Sequence, residues 1–316
     1  MKFPLSFLLS AAIGAATGFA QPKTGVTRAG DENWTVRGHL PPEQFVIQSH
    51  RGAGELAPEN TLEAFALGWK LGTWPESDLR TTKDGVIVAF HDANFERTVK
   101  NAPAALLKKG VKDITFAELS QLDVGGWKGE KFEGRHVSRI ADVFKLMRGQ
   151  PERRLYLDIK NVNLPQLAAE IHENGVAQQV VFATTKYDQL REFKRLVPEA
   201  QTLNWMGGTE AELVKRLAEV RAANFEGITQ LQLHVRRNTN SASAEPFNLS
   251  RQFLRETGAE LRQHSITFQI LPWDVNQPEI YWQLLDLGAT AFATDHPDVV
   301  VKAVRDYYAK PEQPAP

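Results

Sequence analysis

The chain has 316 residues, of which 42% are hydrophobic and 24% charged, a balance typical of an ordinary soluble globular protein. Lys and Arg number 37 and Asp and Glu 38, so the formal net charge of -1 excludes nucleic-acid binding by bulk charge. Cysteine is absent, which excludes disulfides, thiolate nucleophiles, zinc–thiolate sites and iron–sulfur clusters.

The first twenty residues have the pattern of a secretory signal peptide. Lys2 supplies a positive start, residues 3–18 are apolar or small, and Gly18-Phe19-Ala20 provides a small–x–small cleavage site. The apolar run is too short for a good membrane span, although an uncleaved anchor is the alternative. We therefore expect a mature protein that begins near Gln21, is secreted or periplasmic, and keeps no stable membrane span.

The rest of the chain reads as one domain with a short segment at each end. Residues 21–43 are polar and rich in Pro, Gly and Thr, which predicts an N-terminal arm, and residues 310–316 predict a flexible tail. Because no low-complexity linker interrupts residues 44–309, we expect a single domain over that range.

Within this domain, short apolar or β-branched runs alternate with longer helical patterns. Strands are predicted at 45–50, 74–79, 155–159, 180–183, 202–205, 228–233, 268–271 and 290–294. Helices are predicted at about 60–70, 137–148, 163–174, 187–196, 209–222, 249–263 and 278–287, the first with Asn60 as N-cap and Glu63 three residues later. Eight strands separated by helical patterns predict an α/β fold, a closed (βα)8 barrel of the TIM type.

One apolar run, residues 86–90, does not fit this count. Asp84-Gly85 separates it from the second strand, a connection far too short for a parallel crossover and typical of a hairpin turn. We therefore predict an antiparallel hairpin over 78–91 above the second barrel strand. A two-residue turn at 84–85 would place Asp78 opposite His91, so that a carboxylate and an imidazole share one site.

Chemically active side chains lie at the predicted strand ends, where a barrel of this type carries its catalytic groups. Glu76 and Asp78 are two positions apart and therefore point to the same face of their strand. Two carboxylates that are buried together need a cation or a raised pKa. With Asp158 at the end of a later strand, they offer the all-oxygen ligand set that suits one divalent ion, Ca²⁺ or Mg²⁺.

Each of these signals also has a simpler interpretation, which the residues alone leave open. His50-Arg51-Gly52 is typical of an ordinary loop, Asp78 of a solvent-facing strand residue, and Asp158 with Lys160 of an exposed ion pair. The histidines that no pattern places near the carboxylates are interpreted as surface or packing residues; these are His136, His172, His234 and His264.

The order of the motifs resembles that of the glycerophosphodiester phosphodiesterase family. Segment 50–98 carries most of the resemblance, through His50-Arg51-Gly52, Pro58-Glu59-Asn60-Thr61, Ala64-Phe65, Glu76-x-Asp78, Thr82-Lys83-Asp84-Gly85, His91-Asp92 and Arg97-Thr98. Later matches are Asp158-Ile159-Lys160, Trp273-Asp274-Val275-Asn276 and Thr294-Asp295-His296-Pro297. The resemblance spans about residues 45–298 and implies the same barrel as the strand count.

The resemblance implies a role for each matching residue. It makes His50 and His91 the general acid–base pair, Arg51 and Lys160 phosphate-binding residues, and Glu76, Asp78 and Asp158 the ligands of a divalent metal ion. The family's third carboxylate is usually Glu, so Asp158 is one methylene shorter. The implied reaction is the hydrolysis of glycerophosphodiesters, which are small molecules, to glycerol 3-phosphate and an alcohol.

The insertion at 93–136 follows directly on His91, so we expect it to lie over the active-site face. Its apolar residues, with Trp273 from a late strand end, are candidates for a wall against the glycerol or the alcohol group. Packing of the insertion onto the barrel is the alternative.

Two other functions remain open at this point. One is a barrel phospholipase D of the spider sphingomyelinase D type, which shares Glu-x-Asp and a distant Asp-x-Lys but lacks the Pro-Glu-Asn-Thr motif. The other is an inactive barrel that binds phosphorylated headgroups, against which the presence of both His50 and His91 argues. The sequence leaves four properties open: the alcohol headgroup, the choice between Ca²⁺ and Mg²⁺, which of the two histidines is the acid, and the oligomeric state.

Overall fold

A computed structural model describes residues 34–100, 102–238 and 243–310. The predicted signal peptide, most of the predicted N-terminal arm and residues 311–316 of the predicted tail lie outside these residues. In the described part of the chain, the strands are β1 (Val46–Ser49), β2 (Trp74–Thr81), β3 (Ile87–Ala89), β4 (Leu155–Asn161), β5 (Val180–Thr184), β6 (Gln201–Met206), β7 (Gln230–Arg236), β8 (Thr267–Trp273) and β9 (Ala291–Thr294).

Most of the helices follow the strands in alternation. Their bounds are α1 (Val36–His39), α2 (Leu62–Lys70), α3 (Ala104–Leu107), α4 (Phe116–Leu119), α5 (Ile140–Met147), α6 (Leu164–Asn174), α7 (Tyr187–Leu196), α8 (Glu210–Ala222), α9 (Arg251–Gln263), α10 (Pro278–Asp286) and α11 (Pro297–Ala309). Among the residues described, no helix has both the length and the hydrophobicity that a bilayer crossing requires.

The eight parallel strands close into a barrel. β1 pairs with β9 on one side, as Val46 lies opposite Ala291, and with β2 on the other, as Gln48 lies opposite Trp74. The other strands follow one another in chain order, apart from β3, which adds to β2 as an antiparallel strand. The predicted TIM-type barrel with a hairpin on its second strand is therefore confirmed.

The register of the hairpin differs from the prediction by one residue. Leu79 pairs with Ala89, and the backbone N–H of Phe90 donates to the carbonyl of Asp78 at 2.8 Å, so Asp78 lies opposite Phe90 and not His91. The reason is the loop, which has three residues, 83–85, and ends with Gly85 in the left-handed region at φ 86°. The expected pairing of Asp78 with His91 was therefore wrong, although His91 still follows directly on the hairpin.

The start of α2 also differs from the prediction. Its N-cap is Thr61, whose hydroxyl accepts a hydrogen bond from the N–H of Ala64 at 3.2 Å. Asn60, the predicted cap, adopts φ 58° and directs its amide to Asp78 instead. Helix α11 was missed because its run of valines is typical of a strand, although Pro297 in its first turn indicates a helix start.

The interior of the barrel contains an unusual chain of polar side chains. The Tyr156 hydroxyl donates to Gln230 at 2.7 Å, the Gln269 amide donates to Tyr156 at 3.3 Å, and the Gln232 amide donates to Gln269 at 2.5 Å and to Gln48 at 3.3 Å. These side chains are buried, and their mutual bonds satisfy polar groups that would otherwise destabilise an apolar core.

The insertion between β3 and α5 has an apolar core of its own. Phe90, Phe95 and Val99 pack there with Ile114 and Leu119, and α3 covers the cluster with Leu106 and Leu107. This packing fixes the position of the chain that follows His91.

Candidate active site

Three neighbouring strands carry the predicted polar residues to one mouth of the barrel. His50 follows β1, Glu76 and Asp78 lie on β2, and Asp158 lies on β4 directly opposite Asp78 in the parallel register. Because the carboxyl ends of parallel barrel strands share one face, these side chains meet there.

Glu76, Asp78 and Asp158 form a compact carboxylate cluster. One oxygen of each lies within 4.8 Å of the others, and the side chains of Glu76 and Asp78 are fully buried. Burial, together with the negative charge of Asp78, raises the pKa of Glu76 to about 8. One oxygen of Glu76 is buried with no hydrogen-bond partner among the described residues. An additional cation would satisfy this oxygen and the excess charge, so the three residues fit a divalent ion.

Fixed cations and an amide surround the same cluster. The Lys160 ammonium lies 2.6 Å from Asp158 and 3.1 Å from Asp78, and the Arg51 guanidinium lies 3.7 Å from Asp78. Burial alone would raise the pKa of Asp78, but Lys160, His91 and Arg51 outweigh it and lower that pKa, so Asp78 is ionised. Asn60, which sequence reasoning gave no role beyond the cap, donates to Asp78 at 2.8 Å and accepts from its N–H at 3.0 Å.

His50 is held by a carboxylate from the last strand. Its Nδ1 lies 2.6 Å from Asp295, a residue at the end of β9 that the sequence analysis named only as part of a motif. Burial disfavours the imidazolium, but the hydrogen bond to Asp295 and the charge of Glu76 more than offset it and raise the pKa of His50. With Nδ1 engaged, Nε2 is the nitrogen available for proton transfer.

His91, which follows the hairpin, has a similar arrangement. Its Nδ1 lies 2.7 Å from Asp92, and both oxygens of Asp92 also accept from the guanidinium of Arg97. Burial would raise the pKa of Asp92, but the bonds from His91 and Arg97 lower it well below its usual range. Ligand atoms of Glu59, His91 and Asp92 also lie within 4.8 Å of one another, and Arg97 compensates the charge of this second group.

Aromatic rings line the third side of the mouth. Trp205 stacks on His234 with centroids 4.9 Å apart, and Trp273 meets His234 at 5.5 Å and His50 at 5.7 Å edge to face. Burial and the nearby His50 lower the pKa of His234 to about 4, so its ring is neutral at neutral pH. The Trp205 indole N–H donates to Asp158 at 3.3 Å, which joins this wall to the carboxylate cluster.

The position of His234 corrects part of the interpretation of the other histidines. His136 and His172 are exposed, and His264 packs on Phe225 with centroids 4.5 Å apart, as expected for surface and packing residues. His234 does pack, but between two tryptophans at the mouth of the barrel that carries the carboxylate cluster. The signal was its place near the end of the predicted strand 228–233, between the strands that carry Trp205 and Trp273.

Comparison with known proteins finds a match over nearly the whole domain. The family model described as the glycerophosphoryl diester phosphodiesterase family matches residues 50–299. A glycerophosphodiester phosphodiesterase of Caldanaerobacter subterraneus subsp. tengcongensis is 26% identical over 267 residues, which are 82% of this chain and 98% of the relative. Human lysophospholipase D GDPD1 is 24% identical over 266 residues, 79% of this chain and 82% of the relative.

Solved structures share the fold. A phosphodiesterase of Oleispira antarctica, solved in complex with the product sn-glycerol-3-phosphate, has a TM-score of 0.60 and 22% identity over 83% of this chain and 96% of its own. A putative glycerophosphoryl diester phosphodiesterase of Silicibacter pomeroyi has a TM-score of 0.65 and 23% identity over 83% and 93%. The likeness extends over the whole barrel.

Proposed function

The chain belongs to the glycerophosphoryl diester phosphodiesterase family and is a hydrolase, and from this premise we propose that it cleaves glycerophosphodiesters to glycerol 3-phosphate and an alcohol by acid–base catalysis. The observation that carries the proposal is the pair of histidines His50 and His91, each with its Nδ1 within hydrogen-bond distance of a carboxylate, Asp295 at 2.6 Å and Asp92 at 2.7 Å. A headgroup-binding protein needs cations alone, whereas two histidines each held by a carboxylate are suited to proton transfer.

We propose that Glu76, Asp78 and Asp158 hold one divalent ion, Ca²⁺ or Mg²⁺. The all-oxygen donor set and the buried, unsatisfied oxygen of Glu76 support this assignment. When bound, the ion supplies Lewis-acid stabilisation of the negative charge on the phosphoryl oxygens. Asp158 keeps its place in the cluster despite its shorter side chain, since β4 sets it directly opposite Asp78.

Arg51 and Lys160 are proposed to bind the phosphodiester. A phosphodiester carries one negative charge, and attack at phosphorus builds more charge on the nonbridging oxygens. Both cations lie within 4 Å of the carboxylate cluster and are only partly exposed, so they stabilise that charge at short range. Trp273, whose ring makes an edge-to-face contact with His50, is proposed to contact the glycerol or alcohol carbons.

The two histidines are proposed to move the protons. One removes a proton from the attacking oxygen, for which the neighbouring glycerol hydroxyl is the candidate. The new P–O bond gives a cyclic phosphate while the P–O bond to the alcohol breaks, and the other histidine protonates the departing alkoxide. Water then opens the cyclic phosphate. Each proton-transfer role contributes roughly 10²–10⁴-fold to the rate.

A substrate panel tests the proposal. Glycerophosphocholine, glycerophosphoglycerol and lysophosphatidylcholine would be incubated with the protein, with and without a chelator. Released glycerol 3-phosphate would be measured for the two glycerophosphodiesters, and released choline for the lysolipid. We expect turnover of a glycerophosphodiester that stops on chelation and returns with Ca²⁺ or Mg²⁺, and losses of roughly 10²–10⁴-fold in His50→Ala and His91→Ala. Turnover of the lysolipid alone would favour the phospholipase D alternative, and no turnover would contradict the proposal.

We further propose that the protein is exported and then acts as a mature chain that starts near Gln21, with residues 44–309 as its catalytic domain. The support is the pattern of residues 1–20. The mass of the N-terminal peptide of the exported protein would test the cleavage site.

A further inference from the structure

Arg97 lies between two carboxylates and donates two hydrogen bonds to each of them. Its guanidinium donates to Asp92 at 2.7 and 2.9 Å and to Glu59 at 2.6 and 2.8 Å. The side chains of Asp92 and Glu59 are 17% and 12% exposed, so neither charge is well screened by water. Two bidentate pairs at one guanidinium make a geometry that the single ammonium of lysine does not reproduce.

Each of the two carboxylates leads to a residue of the proposed site. Asp92 lies 2.7 Å from Nδ1 of His91, and Glu59 accepts from the guanidinium of Arg51 at 3.1 Å. Arg97 is therefore the middle of a continuous series of hydrogen bonds that runs from Arg51, the proposed phosphate-binding residue, to His91, the proposed proton-transfer residue. This series joins the β1–α2 loop to the end of the hairpin.

We propose that Arg97 is a positioning residue that orients His91 through Asp92 and Arg51 through Glu59. This inference rests on the proposed function, because His91 and Arg51 are the residues whose orientation matters for phosphodiester cleavage.

Elementary electrostatics explains why a cation is required at this point. Ligand atoms of Glu59, Asp92 and His91 lie within 4.8 Å of one another, and the two partly buried carboxylates repel each other when nothing lies between them. Without Arg97, Asp92 rotates toward solvent and the His91 ring loses the partner that fixes its Nδ1–H tautomer. Arg51 likewise loses one anchor when Glu59 turns away.

A later part of the insertion that contains Arg97 covers the same guanidinium. The ring of Trp127 lies 5.5 Å from the Arg97 guanidinium carbon, a cation–π distance, and the Trp127 indole N–H donates to the carbonyl of Val124 at 2.9 Å. The position of Arg97 is therefore fixed by the β1–α2 loop, by the hairpin end and by the insertion.

The test uses two Arg97 variants and a matched control. Arg139 has nearly the same exposure as Arg97, 45% against 42%, donates two hydrogen bonds to Asp142 and lies 5.4 Å from Phe116, but it contacts none of the proposed site residues. In the presence of Ca²⁺ or Mg²⁺ we expect Arg97→Ala to lower kcat roughly 10–100-fold, since loss of an outer partner of a site residue has effects of that size. Arg97→Lys recovers part of the loss, and Arg139→Ala stays within about twofold of the wild type.

A second measurement does not depend on turnover. Nitrogen-15 NMR of the histidine rings reports which ring nitrogen carries the proton, and we expect His91 to be protonated at Nδ1 in the wild type and in Arg139→Ala, and to become a tautomer mixture in Arg97→Ala. If the wild type cleaves no glycerophosphodiester, the proposed function fails and the NMR result alone decides the role of Arg97. Unchanged kcat together with an unchanged His91 tautomer in Arg97→Ala would overturn the proposed positioning role of Arg97. Loss of fold in both Arg97 variants, with Arg139→Ala intact, would also overturn it, because Arg97 would then be a structural residue.

Discussion

The hydrogen bond between His50 and Asp295 joins residues 245 positions apart and sets the protonation of one member of the proposed acid–base pair. Asp295→Asn removes a negative charge that helps to raise the pKa of His50, while burial, which lowers it, remains. The pKa of His50 therefore falls in the variant. We expect one limb of the profile of kcat/KM against pH to move to lower pH.

The limb that moves identifies the role of His50. If His50 is the base, it must be unprotonated, and the acidic limb moves to lower pH; if it is the acid, it must be protonated, and the basic limb moves. A profile in which neither limb moves would show that His50 does not titrate in the working pH range.

Trp273 offers a test of substrate contact at the same scale. Its ring makes edge-to-face contacts with both His50 and His234, and the proposed role is contact with the carbon atoms of a bound glycerophosphodiester. We expect Trp273→Ala to reduce turnover of a glycerophosphodiester much more than turnover of a small artificial phosphodiester, measured as kcat/KM for each. Equal losses on the two substrates would assign Trp273 to packing.

At the scale of the elements, the sequence predicts the presence of strands better than their exact pairing. All eight barrel strands follow from short apolar runs, because burial against helices leaves a strong hydrophobic signal. The hairpin register, by contrast, depends on one extra loop residue before Gly85, and the cap of α2 depends on whether Asn60 or Thr61 takes the non-helical position. Local backbone choices of this kind leave little trace in the residue types.

The residues of the candidate site also differ in how well the sequence predicts their positions. The carboxylates of β2 and β4 were predictable because alternation along a strand fixes their face. The role of Asp295 was not, since it arises from a contact with His50 across the closure of β1 on β9, between residues far apart in the chain. His234 was missed although Trp205 and Trp273 lie on the two strands next to its own, because residue types alone do not show that the three rings stack.

The close approach of two loops gives a prediction about these elements. Gly54 adopts φ 56°, and a methyl group added there would overlap the backbone carbonyl of Asp295, to which the neighbouring Glu55 N–H donates at 2.8 Å. Gly54→Ala should therefore push the end of β9 away from His50, with a large fall in kcat and a lower Tm.

Gly72→Ala is the matched control for this change. Gly72 has φ 78°, but a methyl group there meets nothing within 4 Å among the described residues, so only the backbone strain of about 1–2 kcal/mol applies. We expect a modest drop in Tm and unchanged turnover for Gly72→Ala. Equal turnover in the two variants would mean that the loop contact does not position Asp295.

For the whole molecule, we expect the carboxylate cluster to couple stability to pH and to the proposed metal ion. The pKa of Glu76 is raised from 4.5 to about 8 by burial and by Asp78. A group whose pKa is raised on folding contributes stability below its unfolded pKa and loses it as the pH rises through the folded value. Asp78, whose pKa is lowered, is ionised throughout this range and adds no slope. In a chelated sample the Tm should therefore fall between pH 5 and pH 8.5.

The proposed ion should reverse this trend, because it would take the place of the proton on Glu76. A ligand at about 100 times its Kd stabilises the folded state by about 2.7 kcal/mol. Because protons compete with the ion for Glu76, we expect the rise in Tm on adding Ca²⁺ or Mg²⁺ to grow with pH. Thermal denaturation at several pH values, with and without the ion, measures both the fall in Tm with pH and its reversal by the ion. Glu76→Gln is the control, in which we expect the dependence of Tm on pH to be flatter. A metal-induced shift that is the same at pH 5.5 and pH 8 would contradict the assignment of Glu76 as a ligand.

The pairing of β1 with β9 also sets when the site is assembled during synthesis. The ribosome makes His50 early, but Asp295 and the strand that closes the barrel emerge almost last. Until then His50 has no Asp295 partner and β1 has only one of its two neighbours, so a growing chain holds the residues of the site without their final arrangement. The protein therefore completes its site only when nearly all of it has been made, and fragments that end before β9 are expected to be inert.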